Sequence, residues 1–216
     1  MWKKYLILLV LFISLVIFNL PASSHSSNII LGKPISNINV DLITAYQLRK
    51  STKSFLTKEI NVEDLSTILW AANGINRENG KRTAPSAYGK YYIDIYVVSD
   101  KGVYVYDVPK HELSLIAVEN IKKQIARQKY VGEASHIIVL TTNLSKFHPM
   151  VKEEKKIPAS YATVGFIGQN IYLVANALNL GTAFVVGIKE EVIREKLKLK
   201  DDEIPLCVMP IGYPKR

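Results

Sequence analysis

Hydrophobic positions along the chain recur with two different periods, and the change from one to the other marks out the elements. Tyr5 to Leu20 is apolar apart from Ser14 and Asn19, whereas Ser23 to Asn39 is rich in Ser, Asn and Gly and reads as a linker. Asn61-Val62-Glu63-Asp64 has the form of a helix start, with a capping Asn and acids in the first turn. Leu65, Ile68 and Leu69 then share one face of a helix ending near Ala72, before Gly74. Tyr91 to Val98 alternates like a half-buried strand and, through the turn at 99–102, meets a hairpin partner at Val103 to Tyr106. Val118 to Gln128 predicts an amphipathic helix, and His136 to Thr142 an inner strand. Thr163 to Leu180 is the longest helical pattern, with Gly181 placed to cap it in the left-handed conformation. Eleven of its 18 residues are apolar and spread around most of the circumference, so it must be buried centrally or against a second subunit. Ala183 to Val186, Lys189 to Leu197 and Leu206 to Ile211 read as strand, helix and strand. Helices and strands interleave without a βαβ rhythm, which makes the fold class α+β.

Charge and cysteine content narrow the chemistry. The 216 residues carry 28 basic and 19 acidic side chains, a net charge of +9, and +7 without Lys3 and Lys4. A basic domain favours an anionic partner, whether a phosphorylated cofactor, an anionic membrane surface or nucleic acid, and net charge alone does not choose among them. Cys207 is the only cysteine and lies in an apolar run, so it is a packed thiol and no intrachain disulfide can form. His25, His111, His136 and His148 lack metal-ligand spacing, and basic residues are not interleaved with aromatics as nucleic-acid binding requires. Neither a GxGxxG fingerprint nor a P-loop occurs. Lys3 and Lys4 ahead of the first apolar run, followed by Pro21-Ala22-Ser23-Ser24, describe a signal peptide or membrane anchor over 1–24. Residues 25–39 then form a linker and 40–216 a single domain, expected outside the cytoplasm.

Three segments carry candidate chemistry. Arg49, Ser51 and Lys53 alternate, so in an extended segment they share one face and can hold a phosphate by charge-assisted hydrogen bonds. Lys81 to Gly89 brings Arg82, Pro85, Ser86 and Ala87 into a loop whose small residues let a flat ligand approach the backbone. At the C-terminal end, Phe184-Val185-Val186-Gly187 can present backbone N–H groups, and the chain closes on Lys215 and Arg216.

In type and order these segments resemble the FMN-dependent nitroreductase family over about Leu42 to Arg216. RKSTKSF is similar to its opening flavin motif, in which Arg49 and Ser51 would bind phosphate and Lys53 would reach the ring and ribityl. GKRTAPSAYG, YYIDIYVV, GVYVYD and His111-Glu112-Leu113 look like the branch related to azoline-forming peptide dehydrogenases, where the Pro-Ser-Ala loop lines the flavin. GFIGQNIYLVANALNLGTAFVVGI resembles the long dimer-interface helix and the strand whose backbone meets flavin N5, near Val186 and Gly187. PIGYPKR resembles the terminal signature whose basic residues return to the phosphate. The resemblance implies a mostly antiparallel sheet flanked by helices, FMN in a groove of a homodimer, and no catalytic side chain or metal. The implied reaction moves two electrons from NAD(P)H or another reduced donor to a small organic acceptor. The alternative is a non-catalytic flavin-binding or degenerate nitroreductase-like module at the membrane surface.

Overall fold

The computed structural model describes residues 27–215; the leader at 1–24, His25 and Arg216 lie outside them. Seven strands form one sheet in the order β1-β4-β3-β2-β5-β7-β6, and every neighbouring pair is antiparallel. They are β1 (Ile29–Ile30), β2 (Ile93–Val98), β3 (Val103–Asp107), β4 (Glu112–Ala117), β5 (His136–Asn143), β6 (Gly181–Thr182) and β7 (Glu203–Gly212). Four α-helices accompany them: α1 (Leu42–Leu48), α2 (Val62–Asn73), α3 (Glu153–Ala177) and α4 (Glu190–Leu197). The fold is the expected α+β arrangement, a mostly antiparallel sheet flanked by helices.

The pleat of the central strands divides the core in two. Ile93, Ile95 and Val97 of β2, Ile138 and Leu140 of β5, and Cys207 and Met209 of β7 meet Ile68 and Leu69 of α2 and Val164, Ile167 and Ile171 of α3. The intervening positions, among them Val98, Ile137, Val139 and Val208, face Ile121, Ile125 and the Ile193 and Leu197 face of α4. Because β2, β5 and β7 are covered on both faces, their sequences are nearly continuous apolar runs. Burial also pushes the Cys207 thiol well above its ordinary range, leaving it an inert core group.

Local chemistry sets the boundaries. The Asn61 side chain accepts from the Asp64 N–H at 2.7 Å, closing the start of α2 as its sequence predicts. Asp41 does the same for α1, accepting from the N–H groups of Ile43 and Thr44.

Four expectations change. Residues 118–128 form turns rather than an amphipathic helix. Ile121 and Ile125 are fully buried and four apart, as on a helix, but the backbone bonds elsewhere: Ala126 bridges to Ile188, and the Arg127 N–H donates to the Gly187 carbonyl. The buried Lys122 ammonium fastens this segment, donating to the Ala134 carbonyl at 2.9 Å and pairing with Asp100 at 2.9 Å. Second, α3 begins ten residues earlier than the apolar pattern, at Glu153, and passes through Pro158. Third, the left-handed residue after α3 is Asn179 (φ 59°), while Gly181 lies in β6. Gly181 is small for a different reason: a side chain there would collide with Thr52. Fourth, the segment 183–186 makes only a single bridge, Val185 to Val208, beyond the two-residue β6.

The stretch read as a linker is anchored from residue 28 onward. Ile29–Ile30 pairs with β4, Leu31 is buried, and the Gly32 carbonyl accepts from the Ser66 hydroxyl. That hydroxyl also meets His111 Nε2 at 2.8 Å, and His111 Nδ1 lies 2.7 Å from the Tyr106 hydroxyl. Burial lowers the His111 pKa, so the imidazole stays neutral and joins this chain of hydrogen bonds as donor and acceptor.

Candidate functional site

The segment after α1 runs extended past β6, with Ser51 bridging Thr182 in parallel and the Thr52 N–H donating to the Thr182 carbonyl at 2.8 Å. Pairing turns Thr52 inward, where it is buried, and leaves Arg49, Ser51 and Lys53 facing outward. Arg49 and Ser51 do share a face, because both meet Tyr172 of α3. The guanidinium of Arg49 lies 5.3 Å from the tyrosine ring centre, and the Ser51 Oγ is 2.9 Å from its hydroxyl.

The C-terminal end returns to this same segment. Phe55 bridges Pro214, the Leu56 N–H donates to the Tyr213 carbonyl at 2.9 Å, and the Lys215 N–H donates to the Ser54 carbonyl at 3.0 Å. Lys53 and Lys215 are both exposed on these two paired segments. The backbone at 215 thus lies against the segment that follows Arg49, Ser51 and Lys53, and Arg216 lies just outside the described residues.

Tyr172 links this basic end to the segment after β6. Its hydroxyl accepts from the Phe184 N–H at 2.8 Å. Tyr161, Gly165, Gly168 and Tyr172 line one stripe of α3, since eleven residues make three full turns and span about 16 Å. Phe184 packs directly on Gly168, where a Cβ would stand 3.1 Å from its ring. Beyond it, Val186 is 63% exposed, and among the described residues neither the Val186 nor the Gly187 N–H donates a backbone hydrogen bond. Free N–H groups beside a side-chain-poor trough can receive the edge of a polar ring. A cavity of about 770 Å³ opens at Val186, between Tyr161, Ile188 and Arg127.

The loop 82–87 does not join this cluster within the chain. The Arg82 guanidinium stacks over the Tyr91 ring at 4.4 Å, where burial pulls its pKa below the ordinary arginine range without discharging it. Ser86 Oγ accepts from the Tyr91 N–H, while Pro85 and Ala87 are exposed. Tyr88, in the left-handed region at φ 54°, stacks on His148 with ring centres 4.8 Å apart. These contacts lead to Tyr91 and His148 rather than to residues 49–53 or 184–187.

Sequence reasoning overlooked Tyr172 and Arg127. The former was legible in principle: a tyrosine on a buried helix needs a partner for its hydroxyl. Tyr172→Phe removes the group that ties Ser51 to Phe184. It should lower stability by about 1–2 kcal/mol, read as a reduced denaturation midpoint at unchanged m-value.

Residues 47–213 match the nitroreductase family. A candidate nitroreductase of Methanocaldococcus jannaschii is 33% identical over 174 residues, covering 76% of this chain and 86% of that protein. An NADPH-dependent FMN reductase of Bacillus subtilis is 25% identical over 179 residues, covering 76% of this chain and 62% of its own length. The crystal structure of a candidate nitroreductase from Ralstonia eutropha superposes with a TM-score of 0.84 at 32% identity, covering 91% of this chain and 94% of that one. In sequence and in fold, this chain belongs to the nitroreductase family, a family of flavin oxidoreductases.

Proposed function

We propose that the protein is an FMN-dependent oxidoreductase moving two electrons between a reduced donor, NAD(P)H or another, and a small organic acceptor. One observation carries the reading: the backbone pairing of residues 54–56 with 213–215, which returns the basic C-terminal end to the segment that holds Arg49, Ser51 and Lys53. Two cations and a hydroxyl would match a dianionic phosphate better than any neutral ligand, with a third cation left for the ring. The open surface at Gly165 and the Val186 and Gly187 N–H groups, which donate no backbone hydrogen bond, suit a flat ring with acceptor atoms on its edge.

The chemistry that FMN supplies when bound is two-electron transfer at N5, so the protein needs no nucleophile of its own. Arg49, Ser51 and Lys215 would hold the phosphate. Lys53 would stand near the ring, where a cation favours the reduced anionic form. Val186 and Gly187 would orient the ring edge through their N–H groups, and the Phe184 side chain would keep water from one side.

The 82–87 loop fits this scheme in a homodimer. A second copy would bring its Arg82, Pro85, Ser86 and Ala87 to the open side of the groove. The exposed Tyr161 and Phe166 of α3 and Leu42 and Ile43 of α1 offer apolar surface for such pairing. The likeness to azoline-forming peptide dehydrogenases rests on that loop together with YYIDIYVV, GVYVYD and His111-Glu112-Leu113, and extends the proposal to their branch. Export is a proposal from residues 1–24. No described helix is long and apolar enough to cross a membrane, so anchoring would fall to those residues, and cell fractionation tests it.

Titration with FMN is the direct test. At a hundred times the dissociation constant, FMN should raise stability by about 2.7 kcal/mol, roughly 5–10 °C in melting temperature. The bound flavin should bleach with a reductant and recover its colour when a quinone or nitroaromatic is added. Bound flavin that no acceptor reoxidises would favour a binding module without turnover. No thermal shift and no bound flavin would overturn both readings.

A further inference from the structure

The cavity beside Val186 holds a charge that the fold does not explain. Five charged side chains line it: Arg127, Lys189, Glu190, Glu191 and Arg194. Glu190 and Glu191 occupy the first turn of α4, where acids offset the positive end of the helix. Arg194 is committed elsewhere, donating to the Glu203 carbonyl at 2.6 Å and the Lys200 carbonyl at 3.0 Å. Lys189 sits at the cap position of α4. The Arg127 guanidinium meets no carboxylate, carbonyl or ring among the described residues.

Its backbone, by contrast, is firmly held. The Arg127 N–H donates to the Gly187 carbonyl at 2.9 Å, Ala126 bridges Ile188, and the Lys189 N–H returns to the Ile125 carbonyl at 2.9 Å. Arg127 therefore stands in fixed register opposite the Val186–Gly187 backbone. Three cations and the positive end of α4 against two acids leave the cavity net positive. Tyr161, Val186, Ile188 and Leu206 supply an aromatic and apolar wall.

We propose that this cavity admits the acceptor, and that Arg127 selects acceptors carrying a carboxylate or comparable anionic group on an aromatic or apolar body. The inference rests on the flavin reading above, which places the reacting edge at Val186 and Gly187. A planar guanidinium fits a carboxylate with two parallel hydrogen bonds. An acceptor so held would lay its apolar body on Val186 and Tyr161. Arg127 acts here as a specificity residue and takes no part in electron transfer.

The test compares 4-nitrobenzoate with 4-nitrobenzamide, which differ in charge and little in shape, using flavin-loaded enzyme. The readout is the ratio of their kcat/KM values. Wild type should favour the anion by about tenfold or more at low ionic strength, and salt should erode the preference. Arg127→Ala should bring the ratio close to one, chiefly through KM for nitrobenzoate, and Arg127→Lys should restore part of it. Lys123→Ala, a cation outside this cavity, should keep the wild-type ratio. The E190Q/E191Q pair should raise it. A wild-type ratio near one, or an Arg127→Ala enzyme that keeps the preference, would overturn the inference. Absence of bound flavin, or of turnover with either compound, would instead overturn the flavin reading beneath it.

Discussion

Replacing Arg49 by alanine is expected to weaken FMN binding about tenfold to a hundredfold, whereas Lys50→Ala should change it by no more than about twofold. The two cations are adjacent in sequence and equal in formal charge, so net electrostatics cannot separate them. Pairing of residues 51–52 with Thr182 does. It fixes the alternation of the segment, turning Arg49 onto the Tyr172 ring beside Ser51 and leaving Lys50 on the opposite side. A charge-assisted hydrogen bond to phosphate is worth about 1.5–3 kcal/mol, which sets the expected loss. Fluorescence titration of flavin-free protein measures both variants, with circular dichroism to verify the fold. Equal losses at the two positions would mean that the phosphate is held by general charge and not by the face that Tyr172 organises.

That face was legible because its cause is local. Alternation in Arg49-Lys50-Ser51-Thr52-Lys53 needs only an extended backbone, just as the α2 start needs only Asn61 and the acids behind it. Helix α3 was half legible. Its apolar pattern begins after Pro158, so the preceding turns, which carry Glu153 to Lys156, showed no periodicity to read. Residues 118–128 were misread because Ile121 and Ile125 have helical spacing, while the partners that deny them a helix, Gly187 and Ile188, lie some sixty residues away. Gly181 was assigned to a cap when its small size answers to Thr52, a contact made only by the folded chain.

The candidate site divides along the same line. Arg49, Ser51, Lys53 and Lys215 stand out as candidates because each carries charge or a hydroxyl in a recognisable order. Arg127 was passed over because it sits in a segment read as an ordinary amphipathic helix, and only register against Gly187 turns it toward the cavity. Nothing about an isolated arginine announces the strand it will face. The 82–87 loop is equally a candidate in sequence, yet its contacts within one chain lead away from the other groups. Long-range pairing and subunit pairing are what a linear pattern cannot carry.

Acid should destabilise this domain through His136 in particular, by about 3 kcal/mol between neutral pH and pH 4. The imidazole is buried at the start of β5 with its Nδ1 2.9 Å from the Ser135 hydroxyl, and burial drives its pKa from 6.5 down to about 4. Glu59 and Asp100 favour its cation and Lys122 and Lys101 oppose it, but these charges are secondary to desolvation. The unfolded chain binds the proton at its ordinary pKa and the native state resists it. Stability is therefore complete above pH 6.5 and falls as pH drops toward 4. Asp41 and Asp107, held low by hydrogen bonds from Thr44 and Lys110, also lose stabilising contacts as they protonate, so the histidine must be isolated by difference. Denaturant unfolding of wild type and His136→Asn at pH 7 and pH 4 gives that difference: the variant should lose about 3 kcal/mol less than wild type. Histidine proton NMR, with the resonances assigned to separate His136 from the also-buried His111, supplies an independent reading in the unaltered protein. A His136 resonance titrating near 6.5, with parallel pH dependence in the two proteins, would show that water reaches this end of β5 and that the core there is open.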